Sequence, residues 1–234
     1  MRHPAATASS FAAAGSLTFA TLSALFSSRL SFLVCLRSAH EVKKHTVAQH
    51  QRQLGETQAI LGDKLRLYQI HSATEASGVL EEPGVLEALA KLRDAGVAVG
   101  ASVSHPQARP LELATQAAGG DGKPLFVSVQ ATYNLLDQSA GPYLRAAAEQ
   151  GVFVIIKEGV ANGRLTARNV GSDALALLEA EAAKLSTSVD ALALAWILTQ
   201  PFVGMVLSGA STCEQLQSNY EVRPRASEEQ GAEP

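Results

Sequence analysis

The chain has 234 residues, of which 47% are hydrophobic and 18% charged, and its formal net charge is −3. So many aliphatic residues exclude a largely disordered chain, and the near balance of acids and bases argues against a nucleic-acid binder, which needs a basic face. Two cysteines, Cys35 and Cys213, cannot build a disulfide framework or a four-cysteine zinc site. We assign no metal ligands.

The first 40 residues differ in composition from the rest. They contain no Asp or Glu and are rich in Ala, Ser and Leu with scattered Arg. This pattern is typical of an organelle transit peptide, so we interpret 1–40 as a targeting-like segment outside the folded domain, which implies a plastid or mitochondrial location. Two alternatives stay open: a secretory signal with residues 11–26 as its apolar core, and a gene-model artefact with no evolved role. Without a targeting role the expected location is cytoplasmic. A membrane span over residues 11–28 is disfavoured by six Ser and Thr residues.

From Glu41 onward, helix and strand patterns alternate. Residues 41–61 are helix-permissive, and spaced apolar residues predict helices over 83–94, 109–118, 143–150, 173–185, 188–199 and 212–220. Apolar runs predict five strands, over 65–70, 97–102, 126–130, 152–156 and 203–207. Strands that are apolar on both faces and alternate with helices indicate a parallel α/β fold, either a doubly wound sheet or a (β/α)8 barrel. No glycine-rich phosphate loop of the Rossmann or Walker type follows any strand, which favours the barrel.

Polar residues recur where each predicted strand ends. In a parallel barrel these ends meet at one face, where catalytic residues lie. The residues in question are His71 and Ser72, Ser102 and Ser104, Gln130 and Tyr133, Lys157 and Glu158, and Ser208, Gly209 and Ser211.

The segments around these ends resemble the aldo-keto reductase superfamily. The matching stretches are LYQIHS at 67–72, VGAS at 99–102, SVQATYNLL at 128–136, VLSGAS at 206–211 and EQLQSN at 214–219, in the family's order. The resemblance implies a partial (β/α)8 barrel, with about five of eight strands over residues 41–222, an unrelated N-terminal segment and a disordered tail at 223–234. It also implies NADP, or alternatively NAD, as cofactor and reduction of aldehydes or ketones by hydride transfer.

Three residues are carried over to the reacting centre. His71 matches the family's active-site histidine, and a neutral imidazole there donates a hydrogen bond that polarises a carbonyl. Ser102 and Gln130 match the residues that hold the nicotinamide carboxamide, although Val103 stands where the family has its partner asparagine.

The last strand–helix unit resembles the family's phosphate-binding segment. Small residues and a helix N-terminus suit a phosphate, because free N–H groups and the helix dipole attract the anion. The matching residues are Ser208, Gly209, Ala210, Ser211, Gln215 and Asn219. No Lys or Arg lies between residues 208 and 220, so the preference for NADP over NAD stays open.

The family's catalytic Asp, Tyr and Lys have no match, since residues 1–40 contain none of the three residue types. We therefore expect weak or absent reductase activity from this chain. The main alternative is a non-catalytic nucleotide-binding relative. A sheet of five strands also leaves two open barrel edges, through which the chain is expected to associate with a partner.

Lys157 supports a further alternative. It ends an apolar strand, as the Schiff-base lysine of a barrel aldolase does, and a desolvated lysine there attacks carbonyls. The competing interpretation is an ion pair with Glu158 or another carboxylate. Nothing else in the chain favours a lyase.

Overall fold

The computed structural model describes residues 32–36, 46–169 and 173–220. Its strands are β1 Phe32–Leu36, β2 Leu65–Ala73, β3 Ala98–Val103, β4 Ser128–Thr132, β5 Phe153–Lys157 and β6 Met205–Val206. Its helices are α1 Val47–Leu61, α2 Pro83–Asp94, α3 Ala108–Gln116, α4 Gly141–Glu149, α5 Asp173–Lys184, α6 Val189–Leu198 and α7 Cys213–Tyr220. Within these residues, no helix has both the length and the apolar character needed to cross a membrane.

All six strands form one parallel sheet in chain order. The five predicted strands are therefore confirmed, as is the α/β class. The helix predicted over 83–94 has the same bounds in the structure, because Pro83 suits the first helical turn and Gly96 turns the chain in the left-handed region (φ 91°) just beyond the last one.

The sixth strand corrects an expectation. Phe32–Leu36 pairs in parallel with β2, so the expectation that residues 1–40 lie outside the barrel is wrong for these five residues. Strands of parallel sheets are buried on both faces and carry few charges, and so an acid-free apolar run fits a strand as well as a targeting segment. The rest of 1–40 and the tail predicted at 223–234 lie outside the described residues.

The two faces of the sheet carry different side chains. The outer face packs against the helices and holds most of the core, including Tyr68, Ile70, Val99, Ala131 and Val154. The inner face carries a smaller apolar cluster formed by Leu67, Ala98, Phe153 and Ile155. Polar side chains replace apolar ones further along the inner face, toward the carboxyl ends of the strands. The candidate site lies there.

Candidate functional site

His71 lies at an irregularity in the pairing of β2 with β3. Ile70 pairs with Ala101 and Ala73 with Val103, so β2 has two residues, His71 and Ser72, where β3 has only Ser102. An extra residue of this kind bends a strand and redirects a side chain, often beside an active site. Ser72 has a φ of 55°, and this left-handed backbone absorbs the extra residue.

The His71 ring is half-buried, and its Nδ1 lies 2.9 Å from the Ser72 hydroxyl oxygen. A hydroxyl that donates to Nδ1 leaves the proton of a neutral imidazole on Nε2. The neighbouring serine can therefore select the form of the ring that presents a donor at Nε2.

Ser102 and Gln130 lie side by side on the inner face, as register partners of β3 and β4. The Ser102 hydroxyl donates to Gln130 Oε1 over 3.2 Å. Ser102 is fully buried and Gln130 is 6% exposed, so Gln130 presents the accessible edge of the pair. His71 lies on β2, the neighbour of β3, so the predicted site residues His71, Ser102 and Gln130 occupy three adjacent strands.

Gln69 joins this group, although sequence reasoning did not single it out. It is fully buried, its Oε1 accepts from Gln130 Nε2 over 3.1 Å, and its Nε2 donates to the Ser128 hydroxyl over 3.2 Å. The four connected side chains are called the glutamine network below: Ser102, Gln130, Gln69 and Ser128. A signal was present in the sequence, since an amide in the middle of a buried strand, two residues before His71, lies on the histidine's face.

Lys157 ends β5 opposite Thr132 of β4 and is half-buried. The carboxylate of the following Glu158 accepts from the Thr132 hydroxyl over 3.1 Å, and its backbone carbonyl accepts from Asn134 Nδ2 over 2.9 Å. Glu158 is thus held by the turn that follows β4.

A pair of ionisable groups joins the loop between β3 and α3, which carries His105, to the loop between β4 and α4, which carries Asp137. His105 Nε2 lies 3.0 Å from Asp137 Oδ2. Burial by itself would raise the pKa of Asp137, but hydrogen bonds from Ser139 and the proximity of His105 and Arg164 outweigh it, so the pKa lies below its ordinary value. Among the described residues, no group of three His, Cys, Asp or Glu side chains could hold a metal ion.

The predicted phosphate segment is more exposed, and its amides are bonded to nearby side chains. The Ala210 N–H donates to the Ser208 hydroxyl over 3.2 Å and the Ser211 N–H to Gln215 Oε1 over 2.8 Å. Asn219 Nδ2 donates to the Ser208 carbonyl over 3.2 Å. Gly209 has a φ of 65° and open space on the side where a Cβ would stand. Four of the six predicted residues, 208–211, therefore lie in the turn after β6, and the other two, Gln215 and Asn219 of α7, bond back to that turn.

A family model for the aldo/keto reductase family matches residues 37–231. The chain belongs to the aldo/keto reductase family. Among solved structures, the apo form of aldo-keto reductase AKR11C1 from Bacillus halodurans matches with a TM-score of 0.60 and 25% identity, over 76% of this chain and 63% of that chain. The holo form of the same protein matches with a TM-score of 0.63 and 21% identity, over 88% and 71%. The chain thus spans less than two thirds of the apo structure it matches. No curated protein matches it.

Tyr133 is one of the polar residues that follow the strands, but its ring packs in the helical layer. It stacks on Trp196 at 5.5 Å between ring centroids and meets Phe202 edge-on at 5.4 Å. Burial raises the pKa of Tyr133, and the nearby Arg145 offsets only part of this. Gln130, by contrast, lies on the inner face. These contacts give Tyr133 a packing role in this aldo/keto reductase chain.

Proposed function

We propose that this chain binds a nicotinamide dinucleotide across the carboxyl ends of β3, β4 and β6, and that His71 assists a slow hydride transfer to an aldehyde or ketone. The observation that carries the proposal is the Ser102–Gln130 pair, which occupies adjacent strands and is joined by a hydrogen bond. Family membership over residues 37–231 adds to it.

The Gln130 amide is suited to a primary carboxamide. An amide group has two N–H hydrogens and two oxygen lone pairs. Ser102 and Gln69 each use one of these in the structure, which leaves one donor and one acceptor for a ligand. A carboxamide carries the complementary donor and acceptor, so Gln130 would hold the nicotinamide end of the cofactor.

The β6–α7 turn would hold the phosphates. The amides of Ala210 and Ser211 donate to neutral side-chain oxygens of Ser208 and Gln215, which would have to give way to a phosphate. A phosphate oxygen would replace these neutral acceptors with a charged one, and charge-assisted hydrogen bonds are about twice as strong as neutral ones. The open side of Gly209 gives the backbone room to approach it.

His71 would orient the carbonyl substrate. When bound, the reduced nicotinamide supplies the hydride. Ser72 holds His71 Nδ1, and Nε2 would donate to the carbonyl oxygen and stabilise the negative charge that develops there, while solvent water would supply the proton that completes the alcohol. We expect a slow reaction, because residues 1–40 contain no Asp, Tyr or Lys to match the family's proton donor and its partners. General acid catalysis contributes roughly 10²–10⁴-fold to such reactions.

Calorimetry with NADP⁺ and NAD⁺ tests the binding step, using wild type, Gly209→Glu and Gly209→Asn. The glutamate places a carboxylate at the phosphates, where like charges cost several kcal/mol, so binding should fall by more than about 100-fold. Asparagine tolerates the left-handed backbone and adds no charge, so it should bind nearly as wild type does. Equal binding by wild type and Gly209→Glu would contradict the placement of the phosphates.

Turnover separates a reductase from a non-catalytic nucleotide-binding relative, which the missing Asp, Tyr and Lys favour. NADPH oxidation with 4-nitrobenzaldehyde or a quinone should run well below the rate of about 1–10 s⁻¹ that is ordinary for enzymes. Loss of this residual rate in His71→Phe, with cofactor affinity unchanged, would support the role of His71. Binding without any turnover would instead favour the non-catalytic relative.

A further inference from the structure

The glutamine network spans three strands without an unpartnered member. Ser102 Oγ donates to Gln130 Oε1, Gln130 Nε2 donates to Gln69 Oε1, and Gln69 Nε2 donates to Ser128 Oγ. All four side chains are buried. Buried hydrogen bonds of this kind are stronger than exposed ones, and connected bonds reinforce one another.

The two amides in the network constrain each other. Gln69 Oε1 faces Gln130 Nε2 at 3.1 Å, and an amide oxygen cannot face another amide oxygen at this distance without losing the hydrogen bond. Serine hydroxyls at both ends act as donor or acceptor, so the network has two self-consistent directions. Reversal of Gln130 requires reversal of Gln69. The orientation of Gln130 is therefore coupled to that of Gln69.

Gly100 makes this coupling possible. In the register of the sheet, Gly100 of β3 lies between Gln69 of β2 and Ser128 of β4. A Cβ at position 100 would lie 2.9 Å from Gln69 Nε2 and would overlap the Ser128 hydroxyl. Only a residue without a side chain lets the Gln69 amide cross β3 to reach β4. The hydrogen bond between Gln69 and Ser128 therefore depends on glycine at position 100.

We infer that Gln69 is a positioning residue: because the Gln130 amide cannot reverse unless Gln69 reverses with it, Gln69 restricts how Gln130 presents its donor and acceptor to the nicotinamide carboxamide. This inference rests on the proposed function. It extends the proposed nicotinamide site to a residue, Gln69, that does not itself contact the cofactor. It also gives Gly100 a role, which is to leave room for the Gln69 side chain to cross β3.

The first test needs no cofactor. Hydrogen exchange of the Gln130 side-chain amide is measured by NMR in wild type, Gln69→Met and Gln107→Met. Methionine keeps the volume of glutamine and removes its hydrogen bonds. Gln107 is the matched control, because it is also a buried glutamine bonded to β4, through the Thr132 backbone at 2.7 and 3.0 Å, but lies outside the network.

Gln69→Met should speed exchange of the Gln130 side-chain amide by about tenfold, because a lost hydrogen bond near the upper end of the usual range of free energies corresponds to a factor of about ten. Gln107→Met should leave the exchange rate of the Gln130 amide unchanged. If Gln69→Met does not fold, Gln69→Asn replaces it, since its shorter side chain keeps the amide but loses the reach. Equal exchange in wild type and the Gln69 variant would overturn the inference, as would equal acceleration by both methionine variants.

The second test uses two nucleotides in calorimetry: NADP⁺ and 2′-phospho-ADP-ribose, which lacks the nicotinamide. Gln69→Met should weaken NADP⁺ binding by about three- to tenfold and leave binding of the other nucleotide unchanged. Equal weakening of both would mean a merely structural role and would overturn the inference. If wild type binds neither nucleotide, the proposed function is wrong, and the exchange measurement still decides whether Gln69 orients Gln130.

Discussion

Two neighbouring residues of β2 carry polar atoms into opposite layers of the protein. The Gln69 amide enters the inner layer and is bonded on both sides, to Gln130 and to Ser128. The Tyr68 hydroxyl enters the outer layer, where none of the described residues bonds to it, and its ring meets that of His50 on α1 at 5.7 Å, edge to face. Neither ring nitrogen of His50 has a partner among the described residues.

The difference shows how one strand can use burial in two ways. Buried polar groups with partners form a rigid, specific arrangement, whereas each unpartnered group costs about 1–3 kcal/mol. Burial raises the pKa of Tyr68 and lowers that of His50, since it disfavours the charged form of each. In the inner layer the bonded Gln69 amide therefore adds order. In the outer layer the Tyr68 hydroxyl and the His50 ring, to which no described residue bonds, lower the stability. Four variants test this comparison.

The largest effect is expected for Gln130→Met. This change leaves the Ser102 hydroxyl and the Gln69 oxygen buried without their partner, so the free energy of unfolding should fall by about 2–4 kcal/mol. Urea unfolding measures it, with Gln138→Met, an exposed glutamine, as control. A loss similar to that of the control would show that the network contributes little.

Gly100→Ala should lower the free energy of unfolding by about 1–3 kcal/mol, because the added methyl group overlaps Ser128 and Gln69. Gly55→Ala is the matched control. Gly55 lies inside α1 with nothing within 4 Å of an added Cβ, so alanine there should raise the stability by about 0.5–1 kcal/mol. Thermal or urea unfolding measures both variants. A change in the free energy of unfolding of the same sign in Gly100→Ala and Gly55→Ala would contradict the comparison.

His50→Leu should raise the stability by about 1 kcal/mol near pH 8, because it removes a buried imidazole to which no described residue bonds. It should also remove a pH dependence. The folded-state pKa of His50 lies below the unfolded value of about 6.5, so the unfolded state binds the proton more readily. Wild-type stability is therefore fully present above that value and is lost as the pH falls through it toward the folded pKa.

Urea unfolding between pH 8 and pH 5 measures this slope. His50→Gln provides the control, since it removes the titration and keeps a polar side chain; it should flatten the slope without the gain at pH 8. A slope unchanged in both variants would show that other groups dominate the acid response.

The smallest effect is expected for Tyr68→Phe. Within the described part of the chain the hydroxyl has no hydrogen-bond partner, so its removal should raise the stability by no more than about 1 kcal/mol. Thermal unfolding measures the shift in Tm, with Tyr143→Phe as the partly buried control. A clear loss of stability in Tyr68→Phe would mean that the hydroxyl is bonded after all, and the contrast between the two layers would fail.

The sequence was most informative where local rules act alone. The bounds of α2 follow from Pro83 and Gly96, and the parallel strands follow from apolar runs between helical patterns. It was least informative at β1, because a short apolar run without acids fits a strand and a targeting segment equally well. The site residues His71, Ser102 and Gln130 were named from their positions at strand ends and from the family resemblance, and the register brings them to adjacent strands.

By itself, the sequence determined the order of strands and helices from β2 onward and the end of the sheet at which polar residues collect, since both depend on periodicity and on local turn chemistry. Only the tertiary structure decided that Gln69 bonds to Gln130 and Ser128, residues 61 and 59 positions away. Only the tertiary structure could show that Gly100 leaves room for the Gln69 side chain to cross β3, and that Tyr68 and His50 meet with no hydrogen-bond partner among the residues the structure describes. Such contacts depend on the register between strands and on the packing of a helix across a sheet. Side chains far apart in the sequence meet only after the chain has folded, and their pairing leaves no periodic trace in the sequence.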